Sequence, residues 1–489
     1  MNKIIQEAIQ REAQLATRRH FLSSLGTGLG SLALGSFLTN CSSDSGASFA
    51  SPLAAKSSPK LGKAKSVIFL HMAGAPSQLE LFDYKPSLAK FDGKECPQEL
   101  LAGKKFAFIR GVPNLLGPKA HFEQRGQAGH WISDYLPHLA SQADRVSFLK
   151  GMHTDQFNHA PAQLLMHTGS ARLGRPSMGS WVSYGLGTEN QNLPGFVVLA
   201  SGGKNPDAGK SAWGSGFLPS IYQGVQCRSE GEPILFIQNP AGVNSDIRKA
   251  SIETINQINQ ETYQEFGDPE TVARIAQYEM AYKMQSSVPE VMDINKEPAY
   301  IHEMYGTEPG KESFANNCLL ARKLVEQGVR FVQLFDWGWD THGTGLDGSV
   351  DYGLHQKCRQ VDKAATALLL DLEQRGLLDE TLVVWGGEFG RTPMQENREG
   401  KKLAYFGRDH HTEAFTMWLA GGGIKPGVSY GETDDLGYST ISGKTSVYDL
   451  QATILQCLGF NHEEFTYPFQ GRNFRLTDVF GKVIDPILA

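Results

Sequence analysis

The sequence predicts an α/β protein with a mostly parallel central sheet, helices on both faces and a helical insertion. Short apolar runs recur along the chain, and longer helical patterns separate them. Beyond the ends of these runs stand the histidines, carboxylates and arginines capable of chemistry, as in open parallel sheets that bind ligands outside the carboxyl ends of their strands.

Residues 67–70, 146–149, 196–199, 329–335, 382–385 and 415–419 read as strands, since each is a short apolar run of strand length. Between the fourth and fifth, Leu354, Cys358, Val361, Ala365, Leu368 and Leu372 step by four and three. Such spacing puts them on one helix face, and strand, helix, strand in that order argues for a parallel pair. Residues 246–287 are rich in Gln, Asn and Glu with a weaker stripe at Ile252, Ile255 and Ile258, which reads as a helical insertion at the sheet's edge. The folded domain is expected over 66–489, with no internal repeat.

At 489 residues, 40% hydrophobic and 20% charged, the chain is long enough and apolar enough to bury a large core. The formal net charge is −6, and residues 1–41 contribute +2 through Lys3, Arg11, Arg18 and Arg19 against Glu7 and Glu12, so the remainder stands at −8. That charge leaves no electrostatic footprint for nucleic acid, although a local site can still be positive enough for a small anion.

Residues 1–41 read as an address. Thr17-Arg18-Arg19-His20-Phe21-Leu22 sets two arginines before an apolar run over 22–38, the order of a twin-arginine signal. The run has seventeen residues and four glycines, short of the ~20 a membrane span needs. Leu38-Thr39-Asn40-Cys41 resembles a lipoprotein cleavage box, which makes Cys41 a candidate for a lipid anchor. No later stretch is apolar enough to span a bilayer, so the mature form is expected in the periplasm or cell envelope after passage through the twin-arginine translocase. Residues 42–65, rich in Ser, Ala and Lys, read as a flexible linker. The later cysteines, Cys96, Cys227, Cys318, Cys358 and Cys457, are scattered and odd in number, which speaks against a disulfide framework.

Three loops carry the candidate chemistry. Asp336 through Gly343 (DWGWDTHG) follows one strand, Gly386 through Pro393 (GGEFGRTP) follows another, and Asp409-His410-His411 precedes a third. Singly, Asp340 could close a turn, Asp409 could cap a segment, and Glu388 with Arg391 could be an ordinary ion pair. Jointly they suit a divalent metal: imidazole with carboxylate favours zinc, and carboxylates alone favour magnesium, calcium or manganese. Asp340, His342, Glu388, His410 and His411 are the candidate ligands, with Asp336 as a weaker one, and Arg391 is expected to steady an anionic oxygen. Trp337 and Trp339 are expected in the core more readily than as a stacking surface.

A resemblance sharpens this reading. Met72-Ala73-Gly74-Ala75-Pro76-Ser77, Asn158-His159-Ala160-Pro161, Met166-His167-Thr168-Gly169, Pro176-Ser177-Met178-Gly179, Trp339-Asp340-Thr341-His342, Gly387-Glu388-Phe389-Gly390-Arg391-Thr392-Pro393, Gly407-Arg408-Asp409-His410-His411 and Gly471-Arg472-Asn473-Phe474 resemble a large bacterial family of twin-arginine-exported, sulfatase-like proteins. The resemblance runs from about Ser66 to the C-terminus, and it implies the alkaline phosphatase-like fold. Sulfatases of that superfamily carry Cys-x-Pro-Ser-Arg, then six residues ending in Thr-Gly. Here Pro161 and Thr168-Gly169 keep that register, which implies His159 at the nucleophile's place and Gln163 at the arginine's. Glu388-Phe389 stands where the superfamily has Asp-His, and its paired aspartates after the first strand are absent. A formylglycine mechanism is therefore excluded, since it needs a modifiable cysteine or serine. What remains is an exported, metal-dependent hydrolase of phosphate or sulfate esters acting on a small-molecule or glycan ester, with His159 as ligand, proton carrier or nucleophile. The competing expectation is a non-catalytic envelope protein that keeps the fold and binds a glycan or a partner.

Overall fold

The computed structural model describes Ser51–Ala489 apart from Phe236, Ala241 and Glu399. The twin-arginine motif and Cys41 lie outside the described residues. The main sheet is built from β1 (Ser66–Ala73), β2 (Ser147–His153), β3 (Phe196–Ser201), β4 (Val225–Cys227), β5 (Phe331–Trp337), β6 (Thr381–Gly386), β7 (Phe415–Ala420), β8 (Ser429–Tyr430) and β9 (Thr445–Ser446). Their spatial order is β8-β2-β7-β6-β1-β5-β3-β4, with β9 also paired to β2. Among these strands β7 alone runs against the rest, antiparallel to both β2 and β6, so the sheet is mostly parallel.

Seven longer helices accompany it: α1 (His159–Thr168), α2 (Met178–Leu186), α3 (Ser245–Phe266), α4 (Pro269–Met292), α5 (Phe314–Glu326), α6 (Gly353–Gln374) and α7 (Val447–Cys457). Successive strand residues point to opposite faces, and β1 shows what that does in a buried strand. Val67 and Phe69 join the core formed with α1, α2 and α7. Ile68, Leu70 and Met72 join the core formed with α5 and α6 on the other face. The stripe from Leu354 to Leu372 is buried along α6 as its spacing predicts.

The polar segment expected as one insertion is a hairpin of two helices. α4 buries Met284, Val288 and Met292, whereas α3 buries Ile252 and leaves Ile255 and Ile258 exposed. Residues 51–65 differ from the expected free tether, because they lie against the body. Leu53 is buried, Thr188 N donates to its carbonyl, and the Tyr222 hydroxyl donates to Pro52 O. Leu53 and Ala64 are buried and main-chain bonds from Lys56, Lys60 and Ala64 reach the body, none of which composition averaged over the segment reveals.

Direction explains how the loops meet. β1, β2, β5 and β6 end at one edge of the sheet. The reversed β7 begins at that same edge, so the segment just before it arrives there without a long return.

Candidate metal centre

Four side chains converge at this edge. His159 opens α1 after β2, Asp340 and His342 follow β5, and His410 precedes β7. One ligand atom from each lies within 4.8 Å of the others. Glycines permit the approach at two points. A Cβ on Gly74 would meet Asp340 N at 2.5 Å, and one on Gly407 would meet the His342 carbonyl carbon at 1.9 Å. Beside Gly74, Ala75 is held at φ +60°, a left-handed conformation costly for a residue with a side chain.

The hydrogen bonds fix which nitrogen each imidazole presents. His410 Nδ1 donates to the Phe157 carbonyl at 2.6 Å, and a carbonyl can only accept. His159 Nδ1 donates to Glu388 Oε1 at 2.6 Å, and His342 Nδ1 donates to Glu396. All three therefore turn Nε2 inward. His342 Nε2 lies 2.8 Å from Asp340 Oδ1, His159 Nε2 3.3 Å and His410 Nε2 3.4 Å, while His342 Nε2 and His410 Nε2 are 3.1 Å apart.

Lone pairs and a carboxylate oxygen facing one another at such distances need a cation or shared protons between them. Zinc with nitrogen ligands at about 2.0–2.1 Å has tetrahedral ligand-to-ligand edges of about 3.3 Å, which the observed separations approach. His159 Nε2 is buried and faces Asp340 Oδ1 at 3.3 Å, out of line for a well-formed hydrogen bond. Three imidazoles and one carboxylate fit a first-row divalent ion, and outer acceptors that orient each imidazole are the arrangement metal sites use.

Electrostatics follow from the same contacts. Burial alone would lower the His159 pKa, but hydrogen bonds to Asp340 and Glu388 raise it to about 9. Burial and the Arg391 charge lower that of His410 to about 4, against its bond to Asp340. Asp340 resists burial through the Arg391 charge and the three imidazoles, and its carboxyl is held far below the usual range. Glu388 is fully buried yet held well below its ordinary value by His159 and His71.

Several expected residues take other places. Glu388 is not among the four: it binds His159, accepts from Gln163 Nε2 and Gly74 N, and faces His71 Nε2 at 3.2 Å, so it orients an imidazole. His411 turns away, its Nε2 donating to Tyr438 O, because neighbours on the short strand His410–His411 point to opposite sides. Arg391 reaches no open space. It is fully buried, with Nε on Ala75 O, Nη1 on Arg408 O, and Nη2 on Gly74 O and on Asp340 Oδ1 at 2.5 Å, so it holds Asp340. Asp336 binds Ser201, Trp339 and Lys357. Trp339 is fully buried, whereas Trp337 is partly exposed under the Lys204 ammonium.

Sequence reasoning misses Glu396, which also holds Arg398, and Phe108, whose ring meets His342 and His410 edge-on. Neither sits in a telling motif. His71 had a signal, a lone imidazole inside the apolar run SVIFLHMA, and it now lies between Glu388 and His167. A second group, His342 with Glu396 and Asp409, shares a ligand with the first. There, however, Asp409 already accepts from the Phe108, Ile109 and His410 amides. A recess of about 620 Å³ lies at the opposite end of the strands, beside Ser66, Arg330 and Thr381. Convergence of ligand atoms, and not the size of a recess, marks the candidate centre.

The chain matches the family described as Protein of unknown function (DUF1501) over residues 64–488 and is a member of it. No curated protein sequence matches it. Among solved structures, a sulfatase from Pseudoalteromonas sp. aligns at TM-score 0.36 and 12% identity, covering 82% of this chain and 68% of that one. The alkaline phosphatase from the Antarctic bacterium TAB5 aligns at TM-score 0.32 and 11% identity, covering 75% and 94%. The lipoteichoic acid synthase LtaP from Listeria monocytogenes aligns at TM-score 0.36 and 9% identity, covering 84% and 76%. At such values these likenesses carry no argument about the site, whose chemistry rests on its own residues.

Proposed function

We propose that this protein is a hydrolase of phosphate or sulfate esters that works with one divalent ion, zinc being the best match to the donors. His159, Asp340, His342 and His410 would hold it. The observation that carries the reading is the convergence of three Nε2 atoms on Asp340, each imidazole tied from behind by an acceptor. A divalent ion in such a site supplies Lewis acidity to the ester oxygens and to an attacking water.

The chain's own residues do the positioning. Glu388, Glu396 and the Phe157 carbonyl lock the imidazoles, Arg391 locks Asp340, and Phe389 walls His159 and His410 at ring distances of 5.0 and 4.5 Å. His159 and Asp340 remain reachable, their side chains 17% and 23% exposed. Held between two carboxylates, His159 serves here as a ligand in place of a nucleophile. We also propose, from Arg18-Arg19 set before the apolar run over 22–38, that the protein is exported by the twin-arginine route to the periplasm or envelope.

Metal analysis of protein purified without chelators, followed by a screen of aryl phosphate and aryl sulfate esters, tests it. Stoichiometric metal with turnover that a chelator abolishes is expected. Metal without any turnover would leave the non-catalytic binding protein, and absence of metal would remove the centre altogether.

A further inference from the structure

We infer that the ester taken by this centre carries a single negative charge, as a sulfate monoester or a phosphate diester does, and not the two of a phosphate monoester. The inference rests on the proposed hydrolase reading and narrows its substrate.

The charges around the cluster lead to it. Four carboxylates touch the four residues or their immediate partners: Asp340, Glu388, Glu396 and Asp409. Two guanidiniums answer them, Arg391 on Asp340 and Arg398 on Glu396, while Glu80 and Arg408 cancel as a fully buried pair. Ligating imidazoles are neutral, so the protein presents two net negative charges and a divalent ion brings the sum to zero. The amino terminus of α1, which carries His159, adds about half a positive charge. A monoanion meets a small positive field there. A dianion would bring a charge with nothing to answer it.

The donors point the same way. Holding a second negative charge takes a further free cation, a guanidinium fork or an ammonium. Arg391 has Nε, Nη1 and Nη2 committed to protein oxygens, and so has Arg408, on Glu80, Thr392 O and Gly117 O. Among the described residues no lysine pairs with any of the four. Arg398 remains: its Nε binds Glu396 at 2.5 Å, it lies over the Phe108 ring at 4.1 Å, and its side chain is 38% exposed. That charge is already spent on Glu396, so among the described residues no uncommitted cation is left at the rim for a second charge on the ligand.

The test uses zinc-loaded protein at pH 8, where a phosphate monoester is doubly ionised because its second pKa is near 6. Calorimetric titration with methyl sulfate, dimethyl phosphate and methyl phosphate should show at least one of the two monoanions binding about tenfold more tightly than the dianion. Comparing those two separates sulfate esters from phosphate diesters. Phe157 is half exposed and its carbonyl holds His410, so Phe157→Arg adds a cation at the rim. This variant should shift preference toward methyl phosphate by roughly twofold to fivefold, less at high salt. Methyl phosphate bound as tightly as the better-bound of the two monoanions, or no anion bound at all, overturns the inference. Protein that takes up no metal removes the proposed function and the inference together, whereas metal uptake and monoanion binding without turnover upholds the inference and points to a binding protein.

Discussion

Zinc affinity should rise about tenfold for each pH unit up to about 9 and level off above it. In metal-free protein burial works to lower the His159 pKa, but its bonds to Asp340 and Glu388 raise it to about 9. His410, lowered to about 4, is already neutral across this range. A ligand nitrogen must give up its proton, so binding releases one from His159. Between pH 9 and 7 the apparent affinity then falls roughly 100-fold, or about 2.7 kcal/mol. Metal-free stability runs the other way. A histidine whose pKa rises from 6.5 to about 9 on folding contributes stability that is fully present below 6.5 and lost as pH rises through 9, roughly 3 kcal/mol for this buried group. Chelator-buffered zinc titrations at pH 7, 8 and 9, with melting curves of the metal-free protein from pH 6.5 to 9.5, read both. Zinc affinity that stays flat from pH 7 to 9, with an unchanged metal-free melting point, would refute the assignment of His159 as a ligand.

Other outcomes follow from the same contacts. Glu396→Gln leaves His342 with a poorer acceptor and should weaken zinc binding by about 10- to 100-fold in competition with a chromogenic chelator. Asp340→Ala should abolish zinc binding and, by stranding the buried Arg391 charge, destabilise the protein by about 3–5 kcal/mol in urea melts. His411→Ala removes the bond to Tyr438 O and the packing on the Tyr438 ring, away from the four, and should leave metal content at the wild-type level. Replacing Arg18 and Arg19 together with Lys should hold full-length precursor in the cytoplasm, seen by fractionation and blotting, since the export receptor reads the arginine pair as an address.

The sheet was legible because each of its six longest strands is an apolar run, and α6 because its stripe is regular. The reversal of β7 was not legible, since direction leaves no mark on so short a run. That reversal is why the His410 loop needs no long return to reach the edge. At the site, the motifs around His159, Asp340, His342 and His410 stand out by residue type. Choosing between His410 and His411 requires the backbone, because alternation along a strand decides which imidazole faces inward. Glu388 and Arg391 sit in as suggestive a motif as the others, yet burial turns both into supports. A main-chain acceptor such as Phe157 O has no signature in sequence at all, and Glu396 is one glutamate among many.

The edge where these loops meet draws on distant parts of the chain: His159 and Glu388 are 229 residues apart, and Phe157 and His410 253. No fragment that ends before residue 410 contains all four ligands. A chain still leaving the ribosome can therefore hold no complete set of these four side chains until more than four-fifths of it has been made, and under the proposed function an ion would be acquired by the finished fold, not by a nascent segment. Bound metal would thus report that β2, β5, β6 and β7 have all found their neighbours. An ion taken up by such a centre would then be set by the metal pool of the compartment in which folding ends, as much as by the preference of three imidazoles and a carboxylate.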